Sequence, residues 1–144
     1  MVMSATSRSA RRADHPLHAV LLAGILPLTL GALFADWAYS TSFQVQWTNF
    51  ASWLIAGSLV FAGAALLWAV VDYFRADVGR DRSGALYLLV LLMTFILGFI
   101  NALVHAKDAW AAMPGGLILS VLVFLLALGA VWLGFSSRSR NAAR

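Results

Sequence analysis

Four long apolar runs, separated by short polar or charged stretches, account for most of this chain. Helices of about 20 apolar residues are long enough to cross the hydrocarbon core of a bilayer. The runs therefore predict four membrane spans, at about residues 17–39, 51–74, 85–104 and 116–135. We expect an all-α fold, an integral membrane four-helix bundle formed by residues 15–135.

The polar stretches between and beyond these runs are short. Residues 1–14 and 136–144 combine arginines with small residues, and we expect both to be disordered basic tails. Residues 40–50 predict a short connection, and residues 75–84 form a charged loop.

One narrow stripe of polar or small residues follows the third apolar run. Thr94, Gly98, Asn101, His105 and Asp108 recur at helical spacing, so they share one face of the predicted helix. The remainder of that helix is apolar, which suits contact with lipid. We therefore expect the stripe to face protein.

Polar residues at the far ends of the first and third spans form a candidate external cluster of Asp36, Asn101, His105 and Asp108. Ionisable residues inside a bilayer are costly unless they are paired or hydrated, which makes them candidates for function. One hypothesis is that Asp36 accepts a hydrogen bond from His105 or Asn101. The pattern slightly favours the other, that these residues lie among lipid headgroups, where they cap helices and pair with Lys107.

A second candidate cluster, at the cytoplasmic boundary, contains His15, His18 and Asp72. Two imidazoles and a carboxylate can bind a metal ion, although interfacial histidines with a purely structural role fit the pattern better. Asp36 follows His18 by 18 residues, or ~27 Å of helix, so the two clusters cannot share one small ligand.

Composition agrees with a membrane protein and narrows its chemistry. Of 144 residues, 62% are hydrophobic and 11% are charged, which is too little polar surface for a soluble globule. The sequence contains no Cys, so disulfides and cysteine nucleophiles are excluded. It also contains no Glu, and neither GxSxG nor HExxH occurs. Catalytic residues stay unassigned, and a non-enzyme is favoured.

The distribution of positive charge predicts the orientation. Nine of the ten Lys and Arg residues lie in the two tails and the loop after the second span, and Lys107 alone lies on the other side. The positive-inside rule then predicts that both termini are cytoplasmic. Because the net charge of +4 comes from these short segments, we do not expect nucleic-acid binding.

No cofactor is predicted, although two kinds stay open. Haem b suits small membrane bundles with two His ligands on facing helices at matched depth. The three histidines, His15, His18 and His105, do not provide such a pair within one protomer. A single axial histidine, a haem between protomers or a bound metal ion stay as alternatives.

Several short segments together resemble one known family. The chain is similar, over roughly residues 14–135, to the bacterial membrane family catalogued as domain of unknown function 2231. The matching segments are His15-Pro16-Leu17-His18, GALFADWAY (31–39), WLIAG (53–57), Asp72-Tyr73, Asn101, His105, Lys107, Asp108, Pro114, GLILS (116–120) and GAVWLG (129–134). The resemblance implies four transmembrane helices, a bacterial inner-membrane location and no established activity. Some relatives are joined to Rieske-type iron–sulfur domains, which implies a link with electron transfer.

These observations favour a non-enzymatic membrane anchor or partner subunit, for example of an externally facing redox enzyme. The expected partners are the lipid bilayer, a second copy of the chain and a periplasmic or membrane redox protein. The alternative is a membrane redox or proton-handling protein that uses Asp36, Asn101 and His105, with or without haem b. A transporter is less favoured, because four short helices enclose little pathway.

Overall fold

The structure, a computed structural model, describes residues 16–75 and 82–142, with side chains to residue 136. It contains five helices in these ranges: α1 (Pro16–Ser42), α2 (Val45–Phe74), α3 (Arg82–His105), α4 (Ala109–Ala112) and α5 (Gly115–Ala142). The helix α4 is a single turn, and the other four are long.

The long helices form an up-down-up-down bundle. Around its axis α1 packs on α2 and α5, and α3 also packs on α2 and α5, so α1 and α3 are diagonal and parallel. We call the end with the α1–α2 connection and α4 the distal end. The proximal end holds the start of α1, the end of α2 and the start of α3.

Four of the described helices are long and apolar enough to cross a membrane: α1, α2, α3 and α5 over Gly115–Ser136. This confirms the prediction of an all-α bundle with four long apolar helices. The orientation of the termini stays a prediction from the arginine distribution.

The helices extend beyond the predicted spans. The connection expected over residues 40–50 shrinks to Phe43 and Gln44, because the backbone hydrogen bonds of α1 continue to its end, where Phe43 N donates to Tyr39 O at 2.8 Å. The nearby hydroxyls are satisfied by the same helix, as Ser42 donates to Ala38 O at 2.6 Å. Phe43 then ends the helix with a φ of 55°. Similarly, α5 continues to Ala142, so much of the predicted C-terminal tail is helical. The predicted N-terminal tail, residues 1–14, lies outside the described residues.

Buried positions recur at alternating intervals of three and four residues in every long helix. This is the heptad spacing with which helices of a left-handed bundle face a common axis. In chain order the main buried positions are His18, Leu22, Ile25, Thr29, Ala32, Asp36; Thr48, Ala51, Ile55, Ser58, Ala62, Ala65, Ala69; Leu91, Thr94, Gly98, Asn101, His105; and Gly116, Ser120, Val123, Ala127, Ala130.

The core has an apolar half and a polar half. Leu22, Ile25 and Leu91 are fully buried in the proximal half, among alanines of α2 and α5. Buried side chains nearer the distal end include Asp36 and His105. Among the described residues, the buried side chains of Asp36, Asn101 and His105 lie at the distal end of the bundle axis, and that of His18 lies at the proximal end.

Candidate functional site

The distal core contains a buried acid–base pair that joins diagonal helices. Asp36, near the end of α1, is 0% exposed, and His105, the last residue of α3, is 6% exposed. His105 Nε2 lies 2.7 Å from Asp36 Oδ1. An isolated buried carboxylate is costly, and a charge-assisted hydrogen bond of this length offsets much of that cost.

Two further side chains close this pair into a ring. Ser120 Oγ, on α5, donates to Asp36 Oδ2 at 2.5 Å. Asn101 Nδ2, on α3, donates to Ser120 Oγ at 2.9 Å, and His105 Nδ1 lies 3.0 Å from the carbonyl oxygen of Asn101. We call Asp36, Asn101, His105 and Ser120 the Asp36 network. It joins three of the four long helices.

The geometry limits how many protons this network holds. A carbonyl oxygen only accepts, so His105 Nδ1 carries a hydrogen and donates to Asn101 O. The contact between His105 Nε2 and Asp36 Oδ1 then needs one proton between the two atoms, on either side. Both placements leave the pair with no net charge, which suits a site in an apolar bundle. Without that proton, an imidazole lone pair would face a carboxylate oxygen.

Space for the imidazole comes from a glycine on α5. A Cβ added to Gly116 would lie 2.7 Å from His105 Cε1 and 3.3 Å from Nε2, closer than carbon atoms pack. The neighbouring Gly115 has no atoms within 4 Å of such a Cβ. The position of His105 therefore depends on the missing side chain at residue 116.

The structure brings together three of the four predicted external residues: Asp36, Asn101 and His105. Asp108 is the exception, because α3 ends at His105 and Asp108 is exposed before α4. The prediction that the buried stripe of α3 reaches Asp108 was therefore wrong. Lys107 is also exposed, and Asp36 bonds to His105 and Ser120.

Sequence reasoning missed Ser120. Its signal was available: Gly116 and Ser120 are four residues apart, on one face of the fourth apolar run and near its distal end. A serine in an apolar helix is weak evidence alone, because its hydroxyl can bond to its own helix, as Ser58 does to Ile55 O at 2.8 Å.

The proximal cluster is organised differently from its prediction. His18 is buried, its Nε2 lies 3.0 Å from Tyr87 Oη on α3, and its ring centroid lies 6.1 Å from that of Trp68. Asp72 is half-buried near the end of α2, and His15 lies outside the described residues. Within the described ranges no three His, Cys, Asp or Glu residues could hold a metal ion. A metal site that includes His15 stays the less favoured alternative.

The two diagonal contacts share one register. His18 and Tyr87 are separated by 69 residues, and so are Asp36 and His105. Both pairs join α1 to α3, one pair at each end of the bundle. The equal separation means that α1 and α3 run in the same direction in a constant alignment.

Comparison with known proteins gives one match. No curated protein and no solved structure matches the chain. The model of a family described as predicted membrane proteins, domain of unknown function DUF2231, matches residues 14–142, and the chain belongs to that family.

Proposed function

We propose that this membrane protein handles protons at its distal end and that the Asp36–His105 pair is the proton-binding group. One observation carries the proposal: a fully buried carboxylate lies 2.7 Å from an imidazole in a helix bundle suited to a membrane. Ionisable pairs inside membrane bundles are expensive to bury and recur in proton relays. A contact that only held α1 against α3 would not require an ionisable pair.

Proton release from the pair is coupled to helix packing. Loss of the shared proton leaves a negative carboxylate, with one oxygen still bonded to Ser120 and the other facing a bare imidazole nitrogen. The repulsion favours a rotation of the His105 ring or a small shift of α3 against α1. A change of protonation at this site thereby changes the contact between diagonal helices.

Exchange of the proton takes place at the distal end. The core on the proximal side of the network is closed by Leu22, Ile25 and Leu91, which are fully buried and apolar. His105, by contrast, is the last residue of its helix and is followed by exposed residues. The protein is therefore proposed to bind a proton from one side of the membrane, without a relay through it.

Within this proposal the protein remains a partner subunit. We propose a bacterial inner-membrane location with cytoplasmic termini, argued from the arginine distribution and the family resemblance, so that the distal end is external. A redox enzyme on that side, which consumes or releases protons, is the proposed partner. Haem b stays the alternative cofactor, and an absorption spectrum of the purified protein tests for it.

A plain membrane anchor is the second candidate, and the distal aromatic residues favour it. Trp110 is 77% and Trp53 is 79% exposed, and the ring centroids of Phe43 and Trp110 lie 6.2 Å apart. Aromatic side chains at this level hold a bundle at the membrane surface. The anchor needs these residues and a stable bundle, and it does not need Asp36 to exchange protons.

Infrared titration of the protein in lipid vesicles separates the candidates. We expect a carboxyl band that changes with pH, is lost in Asp36→Asn and is shifted in His105→Gln. Asp108→Asn, which alters an exposed aspartate at the same end, is the matched control and should keep the band. Circular dichroism checks that each variant is folded.

A double-mutant cycle of the same two substitutions adds an energetic test. Residues in one hydrogen-bond network show interaction energies of about 0.5–3 kcal/mol in unfolding free energy. We expect a value in this range for Asp36→Asn with His105→Gln. A strong interaction energy between Asp36 and His105, together with an infrared carboxyl band that does not change with pH, would reject proton handling. The plain membrane anchor would then be favoured.

A further inference from the structure

A small cavity lies on the bundle axis next to the Asp36 network, on the proximal side of Asp36 and His105. Its walls include Thr29 of α1, Ser58 of α2, and Gly98, Asn101 and Ser120 of α3 and α5. The centre of a water molecule can occupy about 10 Å³ of it. That is the volume of about one water and is too small for an organic ligand.

The polar side chains that line this cavity have oxygen atoms able to accept a further hydrogen bond. Asn101 is 1% exposed, and its Oδ1 has no hydrogen-bond partner among the described residues. The Thr29 hydroxyl donates to Ile25 O at 2.9 Å, and the Ser58 hydroxyl donates to Ile55 O at 2.8 Å. Each hydroxyl oxygen therefore offers only lone pairs to the cavity.

We propose that the cavity binds one water molecule. The water donates one hydrogen to Asn101 Oδ1 and the other to the oxygen of Thr29 or Ser58. This satisfies a buried amide oxygen that would otherwise be costly in an apolar bundle. Buried waters in proteins commonly have two to four such partners.

The water extends the Asp36 network towards the middle of the bundle. Asn101 donates to Ser120 through Nδ2 and accepts from the water through Oδ1, so it links the bound water to the carboxylate of Asp36. The site does not rest on proton handling, because the water satisfies Asn101 whether or not the Asp36–His105 pair titrates.

A crystal structure of the full chain, at a resolution that shows ordered water, tests the proposal. We expect one density peak within hydrogen-bond distance of Asn101 Oδ1. In Thr29→Val, which replaces a hydroxyl by a methyl of similar shape, the peak should weaken or vanish. Thr94→Val is the matched control, since Thr94 is equally buried and donates to Val90 O at 2.8 Å but does not line the cavity.

Thermal unfolding gives a second measurement, with Thr29→Val expected to have a lower Tm than Thr94→Val. An empty cavity in the unmodified protein would overturn the proposal, whatever the infrared titration shows. A density peak with several short contacts to oxygen atoms, together with a Tm that changes when sodium replaces potassium, would also overturn the proposal. It would indicate a bound cation in place of the water.

Discussion

The burial of Asp36 is the feature that most needs a physical explanation at the level of single residues. Both carboxylate oxygens have partners, His105 at Oδ1 and Ser120 at Oδ2. Asn101 takes part twice, with its side-chain nitrogen and its backbone oxygen. A buried polar network stabilises a fold only when its members are satisfied together. Each member of the Asp36 network is therefore sensitive to substitution.

Gly116→Ala is expected to displace the imidazole without changing any polar residue. The new Cβ, 2.7 Å from His105 Cε1, forces the ring away from Asp36. Overpacking of this kind costs about 1–3 kcal/mol, and thermal unfolding in detergent should show the loss. Gly115→Ala, where the Cβ meets no atom within 4 Å, should be neutral or slightly stabilising.

The site was only partly predictable from these residues. Asp36 and His105 stand out in the sequence because charged groups are rare in apolar runs. Ser120 and Thr29 do not stand out, because a hydroxyl in a helix can bond to its own backbone and so gives no sign of a distant partner. If Gly115→Ala and Gly116→Ala lowered the free energy of unfolding by the same amount, His105 would not occupy the position described.

At the level of helices, the alternating three- and four-residue spacing separates a face towards the axis from a face towards lipid. Apolar residues occupy both faces, so the pattern of hydrophobicity identifies the spans but gives little information on which face is inside. The polar stripe of α3 supplied that information for one helix. Helix ends were less predictable, since the hydroxyl residues at 40–42 are typical of a loop but belong to α1, where their hydroxyls donate to its carbonyls.

The two faces should respond differently to the same substitution. Leu22→Ala removes a fully buried side chain from the apolar core and should lower the free energy of unfolding by about 2–5 kcal/mol. Leu67→Ala, at a position that is 70% exposed on α2, should change it by less than about 0.5 kcal/mol. Chemical unfolding in mixed micelles measures both values. Similar losses for the two variants would contradict the assignment of faces.

For the whole molecule, the sequence predicted four spans but not which helices are diagonal. The order of helices around the axis depends on packing between α5 and both α1 and α3, which no single stretch of sequence specifies. With α1 opposite α3, Asp36 reaches His105 across the bundle axis. The orientation in the membrane rests on charge alone.

Single cysteines provide a direct test of orientation, because the natural chain contains none. Gln46→Cys lies exposed at the distal end, and Phe74→Cys, at a position that is 67% exposed, lies at the proximal end. With cytoplasmic termini, a membrane-impermeant maleimide should label Gln46→Cys in intact cells. Phe74→Cys should be labelled only after the membrane is opened. The opposite labelling would place the termini outside.

The shared 69-residue separation of the two diagonal contacts limits how the bundle can move. A helix that slid lengthwise by a single turn would break the histidine–tyrosine bond at one end and the histidine–aspartate bond at the other simultaneously. Rotation of one helix about the line through both contacts breaks neither, whereas a tilt about one contact displaces the other. If loss of the proton breaks the histidine–aspartate bond, the histidine–tyrosine bond remains. The first helix is then free to tilt against the third about that proximal contact.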